Sequence, residues 1–133
     1  MKSDEEILQK LEQAAAGLLF MSEADYPFEI LSWGEINEID VDYLRTQAGA
    51  AAGAPVKIVS PEKFFATAMS EPEWKGEQEL FVARRYQALV RLLKENLSDL
   101  KVYRVGEINI AVYILGRAST GHLVGLSTRV VET

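Results

Sequence analysis

The sequence predicts an α+β fold, with helices packed on a largely antiparallel sheet in one domain spanning residues 1–133. Three observations carry that expectation. Apolar residues recur at helical spacing over residues 4–16 and again from about 78 to 97. Three β-rich stretches finish the chain, joined by short glycine-bearing links that suit antiparallel hairpins, because parallel strands need long crossovers. The length of 133 residues lets a chain hide about two-thirds of its unfolded surface, enough for one core without disulfides or metal.

Taken in order, Ser3 followed by Glu6 forms a capping box, and Ile7, Leu8, Leu11, Ala14, Ala15 and Leu18 then mark one helical face until Gly17 permits a left-handed stop. A polar turn over residues 22–27 ends in proline. A strand from Phe28 to Trp33 follows, rich in aromatic and β-branched residues. Asp40 can cap a short helix through Val41, Tyr43 and Leu44, and the small, glycine-broken residues 47–55 read as a flexible connection. Val56 to Val59 reads as a buried strand. Ser60 and Pro61 then suit an N-cap and first helical position, opening a helix through Phe64, Phe65, Ala68 and Met69. A polar loop carrying Trp74 precedes the longest helix, whose stripe is Val82, Tyr86, Leu89, Leu93 and Leu97, with Arg84, Arg85, Arg91 and Lys94 off it. The closing strands are expected at 101–105, 108–115 and 123–131.

Composition narrows the function. Apolar content of 48% and charged content of 26% are those of an ordinary folded domain. The absence of cysteine excludes a disulfide framework, a thiolate zinc site and a catalytic thiol, and a single histidine cannot build a histidine-rich metal site. The formal charge is −6, and it is uneven: residues 1–60 hold 11 acidic and 4 basic side chains, residues 61–133 hold 9 and 10. Such a field repels phosphate and disfavours direct DNA or RNA binding, while it suits a basic protein partner. The acidic start is unlike a signal peptide, and no apolar run reaches membrane-span length, so a soluble, cytoplasmic protein is expected.

No catalytic constellation emerges, and the protein is expected not to be an enzyme. Residues 116–121 have the outer glycine spacing of a P-loop, yet His122 and Leu123 stand where Lys and Ser or Thr would be needed, so a hairpin loop is the better reading. His122 lacks a local partner that would make it a base and reads as structural or solvated. The carboxylate pairs Glu71 with Glu73 and Glu23 with Asp25 read as solvated loop acids, and the long helix's arginines as a solvated face. Trp74, set between acids in a polar loop, is the candidate interface anchor, since tryptophan is enriched at hot spots although isolated exposed aromatics are ordinary.

The stretch Gly17-Leu-Leu-Phe-Met-Ser-Glu-Ala-Asp-Tyr-Pro-Phe-Glu29 and the ending Ser127-Thr-Arg-Val-Val-Glu-Thr133 resemble the cyanobacterial-type nuclease A inhibitor family. Residues 102–107, residues 112–116 and the Glu-Pro-Glu-Trp loop are similar to it as well, so the resemblance spans essentially the whole chain and is loosest over 34–54. It implies an α-β-α sandwich like that of pathogenesis-related-1 proteins. The implied function is stoichiometric inhibition of a magnesium-dependent, sugar-nonspecific DNA/RNA endonuclease, without turnover and without a cofactor or metal of the inhibitor's own. On the family's motif the inhibitory positions are Glu23, Trp74 and Thr133, with Asp25 and Tyr26 as neighbours at the interface. Glu23 and Thr133 would approach the partner's magnesium directly or through water, since magnesium accepts oxygen donors. A monomer is expected when free. The alternative is a non-catalytic binding module of the same fold directed at another basic protein.

Overall fold

The structure is a computed structural model that describes residues 3–20, 25–36 and 38–132. Helix α1 (Asp4–Ala15) starts where the Ser3 hydroxyl accepts the Glu6 N–H at 3.2 Å, and it stops before Gly17, whose φ of +76° suits glycine. Strands β1 (Leu19–Phe20) and β2 (Tyr26–Pro27) pair antiparallel, placing a small ribbon where the sequence suggested only loop. Two-residue strands leave no periodicity to read. Strand β3 (Glu29–Gly34) begins one residue after Phe28, and Asp40 caps helix α2 (Val41–Ala48) by accepting the Asp42 N–H at 2.9 Å. The connection after it is held: Arg45 Nε donates to the Ala54 carbonyl at 2.8 Å.

Strand β4 (Val56–Val59) lies where expected but is an edge strand with Ile58 exposed, not the buried strand its apolar sequence suggested. Helix α3 (Pro61–Met69) starts at the expected cap, with Ser60 Oγ accepting the Lys63 N–H at 3.1 Å. Helix α4 (Glu77–Asn96) buries Ala83, Tyr86, Leu89, Val90 and Leu93. Val82, expected in that stripe, is instead exposed: the inward face of these turns is set by Ala83 and Tyr86, and Val82 falls beside it. Strands β5 (Ser98–Val105), β6 (Asn109–Arg117) and β7 (Leu123–Val131) complete the chain. β5 starts three residues earlier than the pattern suggested; Asp99 takes φ 52° where the register with β6 shifts, and this irregularity hid the strand's start.

Strands β3, β7, β6, β5 and β4 form one five-stranded sheet in that order, antiparallel throughout. Successive side chains on a strand face opposite sides. On β6, Ile110, Val112 and Ile114 join the core under α1, α3 and α4, while Ala111, Tyr113 and Leu115 join a second cluster with Leu44 of α2 and Trp33 of β3. Helices therefore cover both faces, and β6 is buried on both, which is why its sequence is almost uninterruptedly apolar. Gly125 on β7 lies so close to β6 that a Cβ there would fall 1.8 Å from the Ile114 carbonyl oxygen.

Candidate functional site

Four consecutive residues of α4, numbers 84–87, organise the parts of the surface that carry the candidate residues. On one side, Arg84 Nε donates to Glu71 Oε1 at 3.3 Å, and the Gln87 amide donates to both Glu71 Oε2 and the Met69 carbonyl at 2.8 Å. The Glu71 carboxyl is held below its ordinary range, chiefly by the Gln87 hydrogen bond, with the charges of Arg84 and Lys75 adding to the effect. Within the same loop the Lys75 N–H donates to the Pro72 carbonyl at 3.1 Å, and Lys75 Nζ reaches the Ser70 carbonyl at 2.7 Å. Trp74 sits on this closed turn with 75% of its surface exposed. An indole so exposed contributes little to the fold that presents it.

On the other side, Arg85 donates to the carbonyls of Ala14 and Ala16 at 2.9 and 2.7 Å, and so occupies acceptors left open at the end of α1. The Tyr86 hydroxyl donates to the Leu19 carbonyl at 2.6 Å. Burial pushes the Tyr86 phenol up to about 12, and the negative charge of Asp25 adds to the rise. Phe20 and Phe28, flanking the ribbon, meet edge to face at 6.2 Å, and both pack on Phe65 with ring centroids 6.1 Å away. Thr128, buried on β7, donates to the Pro27 carbonyl at 3.0 Å and ties the ribbon to the sheet. Tyr26 is half-buried and lines a groove of about 340 Å³ with Glu29, Gln47, Tyr113 and Arg129, while Asp25 is exposed.

Of the residues the sequence nominated, Trp74 sits on the loop that Arg84 and Gln87 brace, while Asp25 and Tyr26 sit at β2, which is held by β1 and by Thr128 of β7. Glu23 and Thr133 lie outside the described residues. The chain is anchored as far as Glu132: its N–H donates to the Ile108 carbonyl at 3.0 Å, and its carboxylate meets Arg104 Nη2 at 2.5 Å. Among the described residues no group of three histidine, aspartate or glutamate side chains could hold a metal ion, and no helix is long and apolar enough to cross a membrane.

A protein-family model described as nuclease A inhibitor-like protein matches residues 5–133. The chain belongs to that family. Curated proteins gave no match. The family's name points to a nuclease as the partner and to an inhibitor as the protein's kind.

For a nuclease A inhibitor-like protein, three features escaped the sequence reading. Glu71 is braced by Arg84 and Gln87 and is not simply a solvated loop acid. Arg85 caps α1 and does not belong to a solvated face. His122 does have a partner, the Asp4 carboxylate, brought from the other end of the chain, and a second carboxylate, Glu35, lies 3.6 Å from Nε2. The structural reading of His122 agrees with that pairing. No signal in the sequence could have found these contacts, because each joins residues 13 or more positions apart.

Proposed function

We propose that this protein is a stoichiometric inhibitor of a magnesium-dependent, sugar-nonspecific DNA/RNA endonuclease, occluding the enzyme's active site without turnover. The observation that carries the proposal is Trp74, an exposed indole on a braced loop in a chain of the nuclease A inhibitor-like family. A nuclease indifferent to sequence holds a basic, metal-bearing cleft for phosphates, and a protein of formal charge −6 is attracted to such a cleft. Trp74 supplies an apolar anchor of the kind whose truncation costs about 2 kcal/mol or more.

In this proposal the oxygen donors come from the Glu23 carboxylate and the Thr133 hydroxyl, both of which magnesium accepts, directly or through water. Asp25 and Tyr26 complete the contact beside Glu23. The proposal includes a sandwich akin to pathogenesis-related-1 proteins, a monomer in the free state, and action in the cytoplasm, where a cysteine-free chain has no need of an oxidising compartment.

Titration of the purified protein into a plasmid digestion by such a nuclease tests the proposal. Digestion should stop at a fixed molar ratio of inhibitor to enzyme. Continued digestion at a large molar excess overturns it.

A further inference from the structure

We propose that Gln87 and Arg84, acting through Glu71, are positioning residues that hold the Trp74 loop in its binding shape before any partner arrives. The inference rests on the reading of Trp74 as an anchor and concerns what makes that anchor effective.

Exposure leaves Trp74 without core contacts to fix its place, so its position depends on the backbone of residues 70–76. That backbone is short of regular structure. It lies between the last turn of α3 and Gly76, which begins α4 without a side-chain cap. What it has is a set of side-chain ties. Gln87 spans the two ends of the residue pair Met69 and Glu71, bonding the carbonyl of the first and the carboxylate of the second at 2.8 Å. Arg84 takes the other carboxylate oxygen. Residues 84 and 87 are three apart on α4 and so project from the same side of the helix. Glu71 thereby uses both oxygens on two donors fixed by one rigid element. Lys75 closes the far end of the turn onto Ser70. Surface ion pairs contribute little to global stability, so ties of this number on one exposed loop are better explained by the shape they impose. A loop ordered in advance does not lose that freedom on binding, and affinity rises accordingly.

The test uses the full chain and two readouts. In the free protein, nitrogen-15 relaxation of the Trp74 indole N–H, assigned against Trp33→Phe, reports local motion. Binding kinetics with a magnesium-dependent, sugar-nonspecific endonuclease report release. Gln87→Met keeps the side-chain length and removes both hydrogen bonds; it should raise Trp74 motion and speed release by roughly three- to tenfold. Gln87→Glu, which sets two carboxylates against each other, should do more. In a Trp74→Ala background, Gln87→Met should change release by less than about twofold, because its effect runs through the indole. Arg84→Met, at an exposed site, provides a second variant should either Gln87 change lower folding yield. Unchanged Trp74 relaxation in the Gln87 and Arg84 variants overturns the inference, as does greater motion with unaltered release, or a Gln87 effect that persists at full size without Trp74. If Trp74→Ala itself leaves release unaltered, the functional reading fails. The relaxation measurement still decides whether the brace orders the loop.

Discussion

The imidazole of His122 meets the carboxylate of Asp4 across 118 positions of sequence, joining the β6–β7 hairpin to the first turn of α1. The Thr120 hydroxyl donates to the same carboxylate at 2.6 Å, and Glu35 faces the other ring nitrogen. Hydrogen bonding from Thr120 and His122 holds the Asp4 carboxyl below its ordinary value of 3.8, while Asp4 raises His122 above its ordinary 6.5, with Glu35 adding to the rise.

Stability should follow from these opposite shifts. The His122 contribution is complete below its unfolded value of 6.5 and is lost as pH rises through the raised folded value; the Asp4 contribution is complete above 3.8 and is lost as pH falls through the lowered one. Both are therefore fully present between 3.8 and 6.5. The melting temperature of His122→Asn should lie furthest below that of the native protein near about pH 5 to 6, and the gap should narrow as pH rises through the raised His122 value. A gap independent of pH refutes the charge pairing.

Phe65 has no exposed surface and lies within about 6 Å of four rings, those of Phe20, Phe28, Phe64 and Tyr86. Phe65→Ala should cost about 3 to 5 kcal/mol, read from urea unfolding. Phe81→Ala, at a ring 65% exposed, should cost less than about 0.5 kcal/mol. Equal losses would mean that the aromatic cluster is not the core of this end of the molecule.

Gly125→Ala should reduce the yield of folded protein or cost about 3 kcal/mol, since the added carbon meets the backbone of β6 and no side chain can swing away. A variant that unfolds at the same urea concentration as the native protein contradicts the close approach of β6 and β7.

Trp74→Ala should leave the melting temperature within about 2 °C and accelerate release of the nuclease by roughly thirtyfold or more, given an exposed residue that acts only at an interface. Glu23→Ala should behave likewise, with faster release and unaltered stability. Loss of folding in either variant would make that residue structural.

Thr133→Ala should weaken inhibition and leave the melting temperature unaltered, because it removes the hydroxyl oxygen proposed to face the partner's magnesium, whereas Thr133→Ser should retain potency. Unchanged potency of Thr133→Ala removes Thr133 from the mechanism.

Every helix start that the sequence marked is realised: Ser3, Asp40 and Ser60 each accept a backbone N–H two or three residues on, and β4 and β7 fall where their patterns place them. Family membership was legible too, in the blocks from Gly17 to Glu29 and from Ser127 to Thr133. These features depend on residues adjacent in the chain, so local spacing and hydrogen-bonding capacity suffice to determine them.

The tertiary structure alone decided the sheet order, the β1–β2 ribbon, the exposure of Val82 and the partners of Glu71, Arg85 and His122. A charged side chain reads the same in sequence whether it faces water or a carbonyl on another element. Which it meets is set by how the helices seat on the sheet, and hydrophobic burial that is nearly indifferent to direction drives that seating. The sequence nominated Trp74 as an anchor; the packing of α4 gave its loop a defined shape.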